Sequence, residues 1–198
     1  MKYDIETSSV FKENIIINYG IVHGNNVVVF IKVGQDGSIY GYENKYLKMA
    51  YNINNKYGYT VICSSNPFDG DNPLDIDLKV IRNYYKERNV NNYDIYYIGH
   101  SNGARIGILW GHKYPEIKKM LLINAPLFIN WYKLKEGLIK IKDKEVYLIY
   151  GELDQSYKYT ELLKPLLNDN IKLDIIFGAD HHFTGMLDEF VKLPVILF

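Results

Sequence analysis

The chain has 198 residues, of which 47% are hydrophobic and 23% are charged, and its formal net charge is zero. This length predicts one domain over residues 1–198, since a domain usually takes roughly 100–200 residues. The balanced charge argues against nucleic acid or an anionic membrane as a partner. Cys63 is the only cysteine, which excludes an intramolecular disulfide. No segment is typical of a signal peptide or a membrane-spanning helix, so a cytoplasmic protein is expected.

The first predicted elements are two strands at residues 15–22 and 27–33, joined by a hairpin turn at residues 24–26. After these strands, short apolar runs alternate with longer amphipathic segments. This order is typical of a parallel sheet covered by helices on both faces. The further predicted strands are residues 59–64, 95–99, 120–124, 146–150 and 171–177, and the predicted helices are residues 40–55, 73–88, 101–112, 157–167 and 185–192.

An acidic stretch lies at residues 69–77, around the start of the second predicted helix. Its aspartates suggest calcium, but an internal proline and the missing terminal glutamate spoil the EF-hand pattern. Asn72 and Pro73 instead suit the N-cap and the first position of a helix, with Asp75 in its first turn. We therefore expect a capped helix here. No zinc, P-loop or dinucleotide-binding motif is present in the sequence, so no metal or cofactor is expected.

The most informative segment is Gly99-His100-Ser101-Asn102-Gly103, which lies between a predicted strand and a predicted helix. Its G-x-S-x-G pattern is that of a nucleophile elbow, in which the serine lies on a sharp, strained turn. Side chains at Gly99 and Gly103 would collide with this turn. The N–H of Asn102, at the helix N-terminus, can donate to a developing oxyanion. Ser101 is therefore the predicted nucleophile, although a serine that only caps the helix would fit the same position.

At these residues the sequence resembles the α/β-hydrolase family, and the resemblance runs from the strand near Ile15 to the C-terminal helix. It implies an α/β fold with a mostly parallel central sheet of about eight strands, an N-terminal antiparallel hairpin and helices on both faces. It also implies a catalytic triad in the chain order serine, acid, histidine. Each member should follow a strand at its carboxyl end, where ligands gather in open α/β sheets.

The acid should follow a strand downstream of Ser101. The strand at 146–150 leads into Gly151-Glu152-Leu153-Asp154, which resembles the Gly-x-x-Asp acid loop of the family. The resemblance selects Asp154, and Glu152 is the alternative. An aspartate that only caps the following helix would suit the same position. A carboxylate is needed because it holds the tautomer of the catalytic histidine and stabilises its charge.

The histidine should follow the final strand. The segment Gly178-Ala179-Asp180-His181-His182-Phe183 resembles the Gly-Ala-Asp-His-x-Phe loop of the family. The resemblance selects His181, the residue directly after the aspartate, and His182 is the alternative. A serine hydroxyl is a poor nucleophile at neutral pH, so it needs this histidine as a general base. His100, just before the nucleophile, is expected to pack beneath the turn.

The segment after residue 33 departs from the family pattern. Many members carry His-Gly after the third strand, and the loop behind it supplies the second oxyanion N–H. Here Val33 replaces the histidine, Gly34 aligns with the glycine, and Gln35 takes the donor position. Because the donor is a backbone group, activity need not be lost. The predicted oxyanion-hole residues are therefore Asn102 and Gln35.

Only about 20 residues lie between Pro126 and the strand at 146–150, where many relatives insert a cap domain. These residues predict one connecting helix and leave no room for a cap. We expect a shallow, open site that suits a small or exposed acyl group. The apolar residues Leu127, Phe128, Trp131 and Tyr132 are expected to line part of this site, although packing in the core would explain them equally well.

The leading hypothesis is a serine hydrolase that cleaves a small-molecule carboxylic ester or thioester through an acyl-Ser101 intermediate. His181 would act as the base, Asp154 would orient it, and no cofactor would be required. A close alternative uses the same residues to attack amides or peptides, or to transfer the acyl group, because a fold does not fix its substrate. A noncatalytic binding module is a further alternative. The sequence leaves the oligomeric state open.

Overall fold

A computed structural model describes residues 1–67 and 71–198. These residues form one sheet with helices around it. The strands are β1 (Ile5–Lys12), β2 (Ile15–Val22), β3 (Val27–Lys32), β4 (Thr60–Ser64), β5 (Asp94–His100), β6 (Ile117–Ile123), β7 (Glu145–Gly151) and β8 (Ile171–Ile176). The α-helices are α1 (Lys45–Tyr57), α2 (Leu74–Lys86), α3 (Asn102–Trp110), α4 (Trp131–Lys140) and α5 (Leu187–Lys192), and the 3₁₀ helices are Tyr42–Asn44, Gly111–Lys113, Tyr157–Leu166 and Leu193–Leu197.

The sheet has eight strands in the order β1-β2-β4-β3-β5-β6-β7-β8. Strands β3 to β8 are parallel to one another, whereas β1 and β2 form an antiparallel hairpin whose second strand pairs with β4. The predicted fold class, a mostly parallel eight-stranded sheet with an N-terminal antiparallel hairpin, is confirmed. Each strand predicted after residue 58 is present, with bounds shifted by at most three residues.

The predicted hairpin between residues 15–22 and 27–33 is wrong. The hairpin partner of β2 is β1, and β4 lies between β2 and β3. Every residue of β4 is buried, so an interior position in the sheet suits this strand. The connection from β2 to β3 therefore passes the start of β4, where Asn25 N–H donates to Gly58 O at 2.8 Å. A Cβ on Gly24 would lie 2.3 Å from the Tyr59 carbonyl carbon, so this glycine permits a close backbone approach.

Helices cover both faces of the sheet, as predicted. Helices α2, α3 and α4 pack on one face, against side chains such as Phe30 and Leu122. Helices α1 and α5 pack on the other face, against side chains such as Ile31 and Ile98. Cys63 is fully buried in this second core, and burial raises the pKa of its thiol to about 12. The cysteine is therefore a packing residue, since a reactive cysteine needs an accessible thiolate.

Capping residues lie at the ends of two helices. α1 is terminated by Gly58, which has the left-handed φ of 69° that favours glycine. Asn72 Oδ1 accepts the N–H of Leu74, the first residue of α2, at 3.1 Å, although Pro73 takes the N-cap position expected for Asn72. Residues 69 and 70 of the acidic stretch lie outside the described residues.

The connections after β6 and β7 are short. A single helix, α4, joins β6 to β7, which agrees with the prediction of one connecting helix. The segment predicted as a helix at residues 157–167 is a 3₁₀ helix, and it contains Pro165. Proline has no N–H for the bond to residue 161 that an α-helix would require. None of the helices in the described ranges has the length and apolar character needed to cross a membrane.

A buried ion pair lies at the carboxyl end of β3. Lys32 Nζ is 3.0 Å from Asp77 Oδ2, and both side chains are 0% exposed. The ammonium also donates to Ser64 Oγ and Ser65 O, each at 2.9 Å. Asp77 Oδ1 accepts the hydroxyls of Tyr19 at 3.0 Å and Ser64 at 2.8 Å. Burial lowers the pKa of Lys32, and the charge of Asp77 opposes this effect. The network joins β2, β3, β4 and α2.

Candidate active site

Ser101 lies on a strained turn between β5 and α3, with φ 55° and ψ −121°. Backbone angles of this kind are rare for a residue with a side chain and cost on the order of 1–3 kcal/mol. Strand β6 and helix α3 hold the turn in place: Ser101 N–H donates to Ile123 O at 2.8 Å, and Ser101 O accepts Arg105 N–H at 3.1 Å. The turn therefore has the backbone shape of a nucleophile elbow.

The glycines at 99 and 103 prevent clashes with the backbone of neighbouring elements as well as with the serine turn. A Cβ on Gly99 would lie 2.6 Å from Ala104 Cα, and one on Gly103 would lie 2.1 Å from Lys32 O. These atoms are backbone atoms of α3 and β3, which cannot move aside cheaply. The two glycines thus let α3 approach the sheet closely enough to place Ser101 at its edge.

The side chains of Ser101, His181 and Asp154 form one chain of hydrogen bonds. His181 Nε2 lies 2.9 Å from Ser101 Oγ, and His181 Nδ1 contacts Asp154 Oδ2. An ionised carboxylate only accepts hydrogen bonds, so Nδ1 carries the proton of the neutral ring. Nε2 is then left to accept the serine proton. The structure brings together the three residues that the sequence predicted, in the arrangement that a nucleophile, base and acid require.

Asp154 is itself held in one orientation. Its side chain is 1% exposed. Oδ1 accepts the backbone N–H of Ser156 at 2.6 Å, whereas Oδ2 accepts the ring N–H of His181. Oδ1 thus holds a turn just before the 3₁₀ helix Tyr157–Leu166, whose N-cap is Ser156, while Oδ2 contacts the histidine. Holding both oxygens in place pre-organises the carboxylate for the histidine.

The alternative acid and base lie elsewhere in the same loops. Glu152 Oε2 accepts the N–H of Gly178 at 3.0 Å, on the exposed side of the loop. His182 is exposed, and its ring centroid is 5.0 Å from that of His181, with the two rings nearly perpendicular. Partial desolvation, together with the neighbouring His181, lowers the pKa of His182. Among the described residues, only His181 of this pair contacts Ser101 Oγ.

Candidate oxyanion donors lie on both sides of Ser101. Gly34 is packed against Ser101, since a Cβ on it would lie 3.3 Å from Ser101 Cβ. The backbone N–H groups of the next residue, Gln35, and of Asn102, the first residue of α3, have no acceptor within the described parts of the chain. Unpaired N–H groups beside a serine can donate hydrogen bonds to an oxyanion. The two donors predicted from the sequence therefore remain the candidates, with Val33 in place of the usual histidine.

Asn66, which the sequence analysis did not identify, supports the loop at residues 34–37. It is 2% exposed, and its Nδ2 donates to Val33 O at 3.0 Å. Its backbone accepts the N–H of Asp36 at 2.8 Å and donates to Gly37 O at 3.3 Å. The side-chain amide thus holds the start of the loop that contains Gln35, and the backbone of Asn66 holds its end. Its position, just after a buried strand and on the same sheet edge as Ser101, is the signal that would have identified it.

His100 packs beneath the turn, as expected, and it is 3% exposed. Its Nδ1 lies 2.8 Å from the Tyr46 hydroxyl, and its Nε2 lies 2.9 Å from His181 O. A carbonyl only accepts, so Nε2 carries the ring proton and Tyr46 donates to Nδ1. Burial, reinforced by the positive charge of Lys45, holds the pKa of His100 well below its usual value. The ring is therefore neutral and fixed in one tautomer.

We expect the free energy of unfolding to decrease as the pH falls below about 6.5, in part because of His100. An unfolded histidine takes up a proton near this pH, whereas the depressed pKa of native His100 delays its protonation. The unfolded state then binds more protons, which costs stability at up to about 1.4 kcal/mol per pH unit. Urea unfolding at about pH 7.5 and about pH 5 should show a smaller loss of stability in His100→Gln than in the wild type. Equal losses in the two proteins would contradict this role.

The apolar residues expected to line the site are divided between the core and the surface. Leu127 is 0% exposed and belongs to the core, so the prediction that it lines the site is wrong. Trp131 packs partly against the same core. Phe128 and Tyr132 are 48% and 85% exposed, so solvent reaches both rings. His181 is itself 34% exposed, which agrees with an open site.

Several solved structures are similar to this one over nearly the whole chain. Est1E from Butyrivibrio proteoclasticus aligns over 97% of this chain and 98% of its own, with a TM-score of 0.74 and 18% identity. An alpha-beta serine hydrolase homologue from Coxiella burnetii aligns over 100% and 99%, with a TM-score of 0.72 and 16% identity. XC6422 from Xanthomonas campestris, described as an a/b serine hydrolase without lid, aligns over 95% and 91%, with a TM-score of 0.67 and 15% identity.

No protein-family model matches the sequence, and no curated protein matches it either. The assignment of a fold therefore rests on structure. The strand order, the strained serine turn between β5 and α3, and the likeness to these solved structures agree with one another. This chain has the α/β-hydrolase fold.

Proposed function

We propose that this chain is a serine hydrolase that cleaves carboxylic esters or thioesters through an acyl-Ser101 intermediate. The observation that carries the proposal is the hydrogen-bonded chain from Ser101 Oγ through His181 to Asp154, in which the serine has strained backbone angles. A serine that only capped α3 would not need this histidine. No side-chain capping bond from Ser101 to α3 is present in the described residues. Two of the structurally similar proteins are described as serine hydrolases, which supports the proposal.

Acylation follows from the positions of these atoms. Ser101 Oγ attacks the acyl carbon while His181 Nε2 accepts the hydroxyl proton across 2.9 Å. The carbonyl oxygen takes up the negative charge and accepts the N–H groups of Asn102 and Gln35. Asp154 stabilises the imidazolium. His181 then returns the proton to the leaving oxygen or sulfur as its bond to the acyl carbon breaks, and the alcohol or thiol departs.

Deacylation repeats the same proton transfers with water in place of serine. Water attacks the acyl carbon and gives a proton to His181, and the proton passes to Ser101 Oγ as the acid is released. Water has a direct route to the base, since the His181 side chain is 34% exposed. The single short connection α4, in place of a cap, suits a small or exposed acyl group.

A panel of p-nitrophenyl esters, from acetyl to lauroyl, tests the proposal. The wild type should hydrolyse the short-chain esters, and Ser101→Ala should reduce hydrolysis to the background rate because the attacking oxygen is gone. Ser8→Ala, an exposed serine on the edge strand β1, is the matched control and should retain the activity. Equal activity in Ser101→Ala and the wild type would exclude Ser101 as the nucleophile. Hydrolysis of long-chain esters alone would contradict the open site.

A further inference from the structure

The backbone carbonyl of His181 receives hydrogen bonds from two buried residues outside the triad. His100 Nε2–H donates to this oxygen at 2.9 Å, and Asn124 Nδ2–H donates to it at 3.1 Å. We propose that Asn124 and His100 are positioning residues, which fix the histidine loop so that His181 stays within reach of Ser101. This inference rests on the proposed function, since it concerns the base of that reaction.

Asn124 connects the acid loop to the histidine loop through one side chain. It lies directly after β6, is 0% exposed, and has a left-handed φ of 50° that asparagine tolerates. Its Oδ1 accepts the N–H of Gly151 at 2.8 Å, at the end of the strand that leads to Asp154. Its Nδ2 donates to His181 O and, at 3.3 Å, to Asp180 O. The amide therefore sets the separation of the two loops that carry the acid and the base.

His100 connects the nucleophile turn to the same carbonyl. It is the residue before Ser101, so its backbone is part of the strained turn, while its ring is bonded at both nitrogens. The ring also packs edge-on against Phe190 of α5, with centroids 5.4 Å apart. A buried, neutral ring that is fixed in one tautomer holds its donor in a constant place. The turn and the histidine loop are thus joined by a rigid link.

Loss of one of these hydrogen bonds should affect the rate of the reaction more than the stability of the fold. His181 lies in a loop, and a catalytic group displaced by about 1 Å can lose roughly 100-fold in rate. Two donors converging on its carbonyl, one from the end of β6 and one from the end of β5, hold the backbone from which the imidazole projects. Loss of either donor should slow the attack of Ser101 while leaving the binding of a reagent at the site unchanged.

The test is the rate at which a fluorophosphonate labels Ser101, separated into a binding constant and a maximal rate of inactivation. Asn124→Asp keeps the acceptor for Gly151 N–H and places a carboxylate opposite two carbonyl oxygens. His100→Phe removes the donor but keeps a ring, and His100→Gln keeps an N–H at a similar reach. Asn54→Asp is the matched control. Asn54 lies near the C-terminal end of α1, and its Nδ2 also donates to two backbone carbonyls, those of His23 at 2.6 Å and Tyr59 at 2.9 Å.

In folded protein, Asn124→Asp and His100→Phe should each lower the maximal rate by about 10- to 100-fold, with the binding constant unchanged. His100→Gln should recover part of the loss, and Asn54→Asp should label like the wild type even if its melting temperature falls. Wild-type labelling rates in both folded Asn124→Asp and His100→Phe would overturn the inference and leave the proposed function intact. Failure of the wild type to label at Ser101 would overturn both. If Asn124→Asp does not fold, the comparison of His100→Phe with His100→Gln decides.

Discussion

Replacing His181 by alanine is expected to lower kcat for a short-chain ester by about 10⁴- to 10⁶-fold, the size of loss that follows removal of a triad base. The reason is that His181 Nε2 is the group within 2.9 Å of Ser101 Oγ, and its Nδ1 contacts a buried carboxylate. Without the imidazole, the serine proton has no acceptor at this position. Steady-state kinetics with p-nitrophenyl acetate measures the loss, and circular dichroism establishes that the variant is folded.

The neighbouring histidine provides the matched control for this experiment. His182→Ala should change kcat by only a few-fold, because the His182 ring is exposed and its backbone N–H, which alanine retains, donates to Asp180 Oδ1 at 2.9 Å. The two residues are adjacent in the chain, so a general disturbance of the loop would affect both variants. Losses of similar size in the two variants would mean that the loop, and not His181 as the base, accounts for the effect.

A second large effect is expected for the buried ion pair between Lys32 and Asp77. Lys32→Met should lower the free energy of unfolding by about 3–5 kcal/mol, because a carboxylate that is 0% exposed loses its counter-ion. Asp77→Asn should cost a similar amount for the opposite reason, since it leaves a buried ammonium without a negative partner. Asparagine keeps an acceptor for the hydroxyls of Tyr19 and Ser64, so the comparison isolates the charge.

The double variant separates the charge pairing from the packing. When both charges are removed, neither ion is left buried alone, so Lys32→Met with Asp77→Asn should be less destabilised than the sum of the single variants. Urea unfolding of the wild type, the two single variants and the double variant provides the complete cycle. If the changes in the free energy of unfolding of the two single variants simply add in the double variant, the two charges are not coupled. A double variant that retains activity would show that the network stabilises the fold without a direct part in the reaction.

Local constraints made the nucleophile turn predictable. A strained serine between a strand and a helix requires glycine on both sides, because α3 approaches the backbone of β3 and β5 more closely than any Cβ permits. The acid and histidine loops were predictable for a different reason. Both follow buried strands, and parallel strands place their carboxyl ends at one edge of the sheet. The resemblance to a known family then selected Asp154 and His181 within those loops.

Contacts between distant segments were not predictable in the same way. The adjacency of β2 and β3 in the sequence suggested a hairpin, but the fully buried β4 lies between them, and the more exposed and polar β1 was not identified as a strand. Asn124 follows β6 as a single polar residue, and Asn66 follows two serines at the end of β4, with no recognisable motif around either. Their roles depend on carbonyl groups that reach them only in the folded chain.

Ser101 is proposed to be a nucleophile that His181 and Asp154 activate. Mass spectrometry of the protein after reaction with a fluorophosphonate, first intact and then as peptides, tests this assignment. One adduct per chain is expected, located on Ser101, absent from Ser101→Ala and formed far more slowly in His181→Ala. An unlabelled wild type, or an adduct that persists in Ser101→Ala, would show that the assignment is wrong.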